Sequence, residues 1–534
     1  MMAMIGRLWQ WSSDPLVLLV LVAGLSAFVI QSGELGTSDT THRLQTAHSI
    51  WTSEPEVLPQ EYPEFGLHGR GGKLHGWYGM GQSLLMLPAD IVSSYIERLS
   101  IFEDYDGTDP AVRSIIVSYS TNILINVLTA LICFRLLQQF SFTVRESVLG
   151  VLALLFCTTH LHYTQNMMEN NYIMLLTLTG FSYQYEWLRT GSSRPLAFGS
   201  AALGLNLLTR LTTGLDLIAG GIFILLLIWF ERQTKDWRKL LWTYIKLATP
   251  IYTFFFLIDR VYQYIRFGSF FNTYVSVFSR EYRQLDPSLP PNFPWTTPFH
   301  VGMISPLITP EKSIFLFDPL VVLTLLIVIF LWKRLRPDTR AYVVAALFLV
   351  FSYIAFYARY FVWAGDMAWG DRYVSTAVQM AAFISVPLLL RHRMELGKWL
   401  WKFGGVLIAI SFAVQVASLA FWLPLEIYQM ETLGHPTFVI LLRFKNIVAF
   451  ALGRMEQWGL NTPSMTQDPW DYVHITTWNF LPFLLRRVGE APAWVIRVAF
   501  VLWYAAIAGL IWLMWRLRGA ITRSSTKPNP DAAA

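Results

Sequence analysis

The chain has 534 residues, of which 54% are hydrophobic, 15% aromatic and only 14% charged, with a mean hydropathy of +0.43. Soluble domains carry roughly a quarter charged residues, so the composition excludes an ordinary soluble protein and reads as an all-α polytopic membrane protein. The net charge of +6 does not call for nucleic acid as a partner, because the basic residues of membrane proteins collect in cytoplasmic loops.

Apolar stretches recur in twelve places, near 15–31, 112–134, 147–163, 170–188, 196–209, 214–230, 241–259, 315–332, 341–360, 373–390, 403–422 and 493–515. Several are shorter than the ~20 residues that a perpendicular helix needs, and the apolar signal is faintest near 147–163 and 196–209. The first stretch lacks a small-residue cleavage site and reads as a retained span rather than a removed signal. Cys133 and Cys157 fall inside apolar runs, so neither a disulfide nor a thiolate metal site is expected.

The basic residues give the spans a direction. Arg135 and Arg145 follow the second span, Arg189 and Arg194 the fourth, and Arg232 to Lys239 the sixth. Lys333 to Arg340 follow the eighth, Arg391 to Lys402 the tenth and Arg516 to Lys527 the last. Alternation puts all of these on one side with both termini, and the positive-inside rule makes that side the cytoplasm. Four long segments then face outward, about 32–111, 260–314, 361–372 and 423–492. Within the first, "YGMGQSLLMLPADIVSSYIERL" (78–99) starts polar and turns apolar, as an interfacial amphipathic helix does. The chain divides into a transmembrane region over 1–422, an extracytoplasmic region over 423–492, a last span over 493–515 and a polar tail over 516–534, expected to be disordered.

Five outward stretches carry charges of interest. In "SGELGTSDTTHRLQTAHSIW" (32–51), Asp39 lies just beyond the first span, with His42 and Arg43 close behind. Ser38 or Asp39 would equally suit a helix cap. Glu169, in "HLHYTQNMMENNYIM", sits at the edge of the hydrocarbon zone, where an acid needs a cavity, a partner or water. Arg210, in "GLNLLTRLTTGLDLIAGG", occupies a short outward turn against the positive-inside bias. It asks for an anion such as a lipid phosphate, unless its stem merely snorkels to headgroups. In "FVWAGDMAWGDRYVSTAVQM" (361–380), Arg372 is a second phosphate candidate, with Asp366 or Asp371 to orient it, while Trp363 and Trp369 also suit an interfacial belt. Lys312, just outside the eighth span, is a third cation. None of these is specific alone, but two acids and several cations gather at one membrane face.

In this order the stretches resemble the GT-C superfamily of polytopic glycosyltransferases, most nearly the bacterial branch related to protein O-mannosyltransferases and aminoarabinose transferases. The resemblance covers roughly 15–390, with a faint echo in "DPWDYVHITTWNF" (468–480). "TSDTTHRLQTAHSIW" matches the first outer loop that bears the family's catalytic Asp, which implies Asp39. "KLHGWYGMGQSLLMLPADIV" is similar to the family's YG-G-LL-P segment, "NMMENNYIM" places Glu169 where many members carry a second acid, and "LLTRLTTGL" resembles their basic turn after the fifth span. "RFGSFFNTYV", "SPLITPEKSIFLFDPLVVL" and "WGDRYVSTAVQMAAFISVPLLL" also look like family segments. The sequence departs from the pattern at Asp371, where members often have Pro, and at Ser38 and Thr40, which flank Asp39 where mannosyltransferases carry paired acids.

The resemblance implies a transferase of a bacterial plasma membrane that moves a sugar from a polyprenyl-phosphate donor to a hydroxyl of a lipid, glycan or protein. The chemistry needs a base for that hydroxyl and cations for the departing phosphate. Asp39 would be the base, with Glu169 orienting the acceptor or helping to hold a divalent cation. Arg210, Arg372, Lys312, His42 and Arg43 would contact phosphate or sugar. No nucleotide loop is present in the sequence, and this donor would require none. A secondary transporter would instead place its acids in mid-span, and a non-catalytic membrane protein would not need these charges on one face. Convergence of Asp39, Glu169, Arg210 and Arg372 on one cavity separates these readings.

Overall fold

The computed structural model describes residues 14–58, 66–102, 105, 110–233, 236–365, 368–422, 424–431, 433–455, 477–487 and 491–524. Asp366, most of the 468–480 echo and the terminal 525–534 lie outside the described residues.

The chain opens with α1 (Pro15–Ile30), capped by the Asp14 carboxylate on the Leu16 amide at 2.7 Å, with proline at the first helical position where no donor is needed. Then α2 (Ser38–Trp51), a two-stranded ribbon of β1 (Leu67–His68) and β2 (Leu74–His75), and α3 (Gly81–Glu97) make up the described part of the first connecting segment. The helices α4 (Val112–Gln139), α5 (Val144–Cys157), α6 (His160–Gln165), α7 (Asn170–Thr190), α8 (Ser193–Leu207), α9 (Gly214–Glu231) and α10 (Trp237–Phe267) follow. Next come α11 (Tyr274–Leu285), α12 (Phe299–Ile308), α13 (Ile314–Phe317), α14 (Leu320–Leu331), α15 (Pro337–Tyr357), α16 (Ser375–Phe383), α17 (Ser385–Arg391) and α18 (Arg393–Ser418). The last described helices are α19 (Pro424–Glu431), α20 (Val439–Ala451), α21 (Leu481–Arg487) and α22 (Ala493–Ser524).

All twelve apolar stretches fall on helices, as a polytopic α-helical membrane protein requires. Among the described residues, six helical segments are by themselves long and apolar enough to cross a membrane: Val112–Gln139, Leu211–Glu231, Trp237–Phe267, Pro337–Tyr357, Arg393–Ser418 and Ala493–Arg523. The others are short or interrupted. The 147–163 stretch splits into α5 and α6 at Thr158, and 373–390 splits into α16 and α17 at Ile384. The reason is burial. Nearly every residue of α7, α16 and α17 is covered by other helices, so these elements face protein rather than lipid and tolerate polar positions and breaks. Stacked rings of Phe181 and Phe223, centroids 5.0 Å apart, with Phe140 and Tyr342 around them, mark the core.

The basic connections gather at one end of the bundle. Arg391, after α17, donates to the Phe140 and Ser141 carbonyls after α4 and pairs with Glu146 of α5 at 3.3 Å. Arg334, between α14 and α15, pairs with Glu395 in the first turn of α18 at 3.1 Å. The other end carries the longer segments. There α3 has an inverted surface: Gln82, Ser83, Asp90, Ser93 and Ser94 are buried, while Leu84, Val92 and Tyr95 are exposed. Asp90 explains the buried side, since its carboxylate accepts from Trp51 at 2.7 Å, from Arg113 at 2.5 Å and meets His48 at 3.0 Å, joining α2, α3 and α4. Beyond α18, Arg443 of α20 forms a fully buried two-toothed pair with Glu426 of α19 and donates to the Ser418 and Phe421 carbonyls, each at 2.8 Å. That pair seats the described part of the 423–492 segment on the bundle.

Candidate active site

Asp39 sits in the second helical position of α2. Thr37, not Ser38 or Asp39, is the cap, its hydroxyl accepting from the Thr40 amide at 3.3 Å. The carboxylate is thereby left for other contacts. Thr40 and Gln82 both donate to the Met167 carbonyl, at 2.8 and 3.0 Å, and so bring α2 and α3 against the strand of chain that leads to Glu169. Glycine makes the next approach possible. A side chain at Gly79 would meet the Leu208 carbonyl at 2.2 Å, and one at Gly81 would meet the Thr209 hydroxyl at 2.2 Å. With none there, the Gly81 amide donates to Leu208 at 2.8 Å and Tyr78 is drawn beside the turn that carries Arg210.

These contacts enclose a cleft of about 550 Å³ whose walls include Asp39, Arg43, Tyr78, Glu169, Arg210, Arg372 and Tyr373. Asp39 accepts from the Tyr78 hydroxyl and from Arg372, both at 2.6 Å. Glu169, 2% exposed, lies between two guanidiniums: Arg43 at 2.9 Å and Arg210, which donates to its other oxygen. The Arg43 guanidinium stacks over the Tyr78 ring at 4.1 Å, and those of Arg210 and Arg372 flank Tyr373 at 5.4 and 5.3 Å. Asn170 donates to the Arg372 carbonyl at 2.6 Å and to Ser375 at 2.7 Å, pinning the start of α16 to the start of α7. Residues from five separate stretches of chain therefore meet at one end of the bundle.

Burial alone would push the Asp39 pKa up. The charges of Arg372 and Arg43 and the Tyr78 hydrogen bond outweigh it and bring it to about 2. Arg43 is itself drawn down to about 10 by burial and stays protonated. The cleft thus holds more guanidinium than carboxylate around Asp39 and Glu169, and the Nη1 of Arg43 and the Nε of Arg372 have no hydrogen-bond partner. Unsatisfied buried donors of this kind fit an incoming anion.

Three sequence expectations are placed differently. Asp371 does not orient Arg372; it accepts from the Tyr373 amide at 3.0 Å, and burial, opposed by the charge of Lys312, raises it to about 7. Arg372 is held by Asp39 instead. Lys312 lies outside the cleft: its ammonium donates to the Ala368 carbonyl at 2.8 Å and the Gly370 carbonyl at 3.3 Å, bracing the loop that precedes Arg372. It borders a neighbouring cavity of about 320 Å³ with Glu311, Trp363, Glu431 and Val439, which shares Phe361 and Val362 with the cleft. His42 is buried behind Asp39 rather than on the cleft wall, and burial draws its pKa to about 4, leaving it neutral at pH 7.

The cleft also has members that sequence reasoning missed, namely Tyr78, Thr209, Asp259, Gln263, Tyr274 and Tyr373. Tyr78 and Tyr373 were within reach, since both lie in segments already singled out. Asp259 and Gln263 had a signal too, as polar residues four apart at the end of an apolar span. A divalent cation does not suit this donor set. Among the described residues no three His, Cys, Asp or Glu side chains cluster, and both cleft acids near Arg43 already face guanidiniums.

No protein-family model matches the chain, and no curated protein matches it. Its helical arrangement is similar to that in the crystal structure of ArnT from Cupriavidus metallidurans bound to undecaprenyl phosphate, with a TM-score of 0.44 and 13% identity over 95% of this chain and 76% of that one. At that identity no residue's role passes from one chain to the other.

Proposed function

We propose that the protein is an inverting glycosyltransferase that moves a sugar from a polyprenyl-phosphate donor to a hydroxyl of a lipid, glycan or protein on the extracytoplasmic face. The observation that carries this reading is the meeting of Asp39 and Glu169 with Arg43, Arg210 and Arg372 in one cleft. A transporter or an inert scaffold gives no reason for it.

In the reaction the donor phosphodiester enters among the guanidiniums. Arg372 turns from Asp39 to a phosphate oxygen, and Arg210 takes another. Asp39, relieved of its strongest countercharge but still buried, becomes a better base at the moment the donor is in place. It then takes the proton of the acceptor hydroxyl. The acceptor oxygen bonds to the anomeric carbon from the face opposite the phosphate, the bond from that carbon to the phosphate oxygen breaks, and polyprenyl phosphate leaves with the electron pair. Tyr78 holds the carboxylate in line throughout, and Glu169 holds Arg43 and Arg210 through one oxygen each. The neighbouring cavity, bordered by Glu431 and Val439, is our reading of where the acceptor is chosen.

Incubating the purified protein in detergent with polyprenyl-phosphate sugars should release free polyprenyl phosphate. Arg210→Ala should raise the constant for the donor more than that for the acceptor, since each charge-assisted bond to phosphate contributes about 1.5–3 kcal/mol. An effect confined to the acceptor constant would remove Arg210 from the phosphate site. The proposed orientation has its own check. A cysteine at Ser53 should react with an impermeant thiol reagent from outside intact cells and one at Thr522 only after permeabilisation, and equal labelling of both would overturn it.

A further inference from the structure

The helix α10 is built unlike the others. Its 31 residues rise about 46 Å at ~1.5 Å each, longer than the ~30 Å thickness of a hydrocarbon core. Most of its surface is uncovered, and Phe254, Phe256, Leu257, Val261 and Ile265 are exposed. Apart from Ala248, its buried side chains are all polar: Asp259, Arg260, Gln263 and Arg266. These fall on one face of the final turns. A helix that shows its apolar residues outward and hides a polar stripe is facing something polar, and here that is the cleft.

The stripe has distinct parts. Arg266 donates to the Gly76 carbonyl and, at 3.1 Å, to that of Tyr78, and so sets the residue whose hydroxyl grips Asp39. Arg260 neutralises Asp259, donating to one of its oxygens, and is itself tied to the Phe270 and Asn272 carbonyls at 3.2 and 3.1 Å. Asp259 and Gln263 line the cleft. The side-chain carbonyl of Gln263, in a residue 4% exposed, has no hydrogen-bond partner, and neither has the hydroxyl of Thr209, also on the wall and 5% exposed. The lining also includes Tyr274, Phe278 and Tyr282 of α11, at helical spacing. The lining therefore joins oxygens short of partners to aromatic rings.

We infer that this wall is the subsite for the transferred sugar, with Asp259, Gln263 and Thr209 accepting hydrogen bonds from ring hydroxyls and the α11 aromatics covering the apolar faces of the ring. The inference rests on the proposed reaction and adds the class of sugar. The acceptor surplus selects a hydroxyl-rich ring. Because Arg260 already pairs with Asp259, and Asp39 and Glu169 are paired with Arg372, Arg43 and Arg210, no carboxylate among the described residues of the cleft is left for a protonated amine, and the ring is uncharged.

The test is direct binding to purified protein, by calorimetry in detergent, of bare polyprenyl phosphate and of polyprenyl phosphates carrying neutral hexoses, neutral pentoses or an amino sugar. Wild type should bind at least one neutral glycosylated lipid better than the bare one. In Gln263→Leu that advantage should shrink about tenfold, the effect of one lost hydrogen bond in a covered site. Asp259→Asn and Thr209→Val, which change little in shape, should shrink it too. An advantage unchanged in all three variants would overturn the subsite, as would an equal loss of affinity for bare and glycosylated lipid. Preference of the wild type for the amino sugar would overturn the selection of an uncharged ring. Failure of the wild type to bind any of these lipids would instead sink the proposed reaction, a result that the variants cannot mimic.

Discussion

Asp39→Asn should abolish sugar transfer while tightening the grip on polyprenyl phosphate. The amide cannot take a proton from the attacking hydroxyl, and loss of general-base assistance costs ~10²–10⁴-fold in rate. Its oxygen can still accept from Tyr78, so α2 and the cleft wall keep their geometry, and the Thr37 cap is untouched. What changes is Arg372, which loses its countercharge and stands ready for phosphate before the donor arrives. Its unpaired charge lowers stability by about 1–3 kcal/mol, since it is only partly buried. Bound polyprenyl phosphate should return that loss. Two measurements decide the matter: turnover, and the melting temperature with and without polyprenyl phosphate. A merely structural Asp39 would lose turnover and lipid binding together. Asp39→Glu should rescue poorly, because misplacing a reacting group by about an ångström can cost ~10²-fold.

Much of this centre was legible in the chain because charge is scarce in it. Where so few residues are charged, an acid just past a span and arginines in outward turns have few innocent explanations, and four of them do meet. The limits have physical causes. Which acid holds which base depends on side-chain reach across the fold, and Asp371 is adjacent to Arg372 yet accepts from the Tyr373 amide, while Arg372 reaches Asp39. Lys312 was at the right membrane face but on the far side of the 361–364 segment, a distinction that no sidedness argument can make. Tyr78 and Tyr373 hid among many aromatics that suit an interface. The polar face of α10 was hidden by its own helix: the apolar count closed the span at 259, which made Asp259 an end rather than the first member of a stripe. The glycines of "YGMG" were visible as a motif, but their reason, a backbone pressed on the turn before Arg210, belongs to the tertiary structure.

Arg372→Gln should separate the two jobs of this arginine. In the proposed reaction it is a phosphate ligand that stabilises the departing oxygen, and removal of one such preorganised donor costs ~10²–10³-fold in kcat. As the partner of Asp39 it holds that carboxyl far below the ordinary range. The proposed transfer requires the ionised carboxylate, so activity should fall when the pH drops through its pKa. In wild type the free enzyme's Asp39 titrates at about 2, and kcat/KM should show no acid limb due to this group across the range in which the protein stays folded. With Arg372 gone, burial still pushes the pKa up while only Arg43 and Tyr78 pull it down, so the limb should move upward into the measurable range. The residual activity of the variant should therefore rise with pH where that of the wild type is flat. Arg372→Lys, which keeps the charge but not the fork, should leave the profile flat while still losing rate, because an ammonium neutralises Asp39 yet grips phosphate less well. A flat profile in Arg372→Gln, with the protein folded and the rate reduced, would show that Asp39 is not the group whose proton limits the reaction.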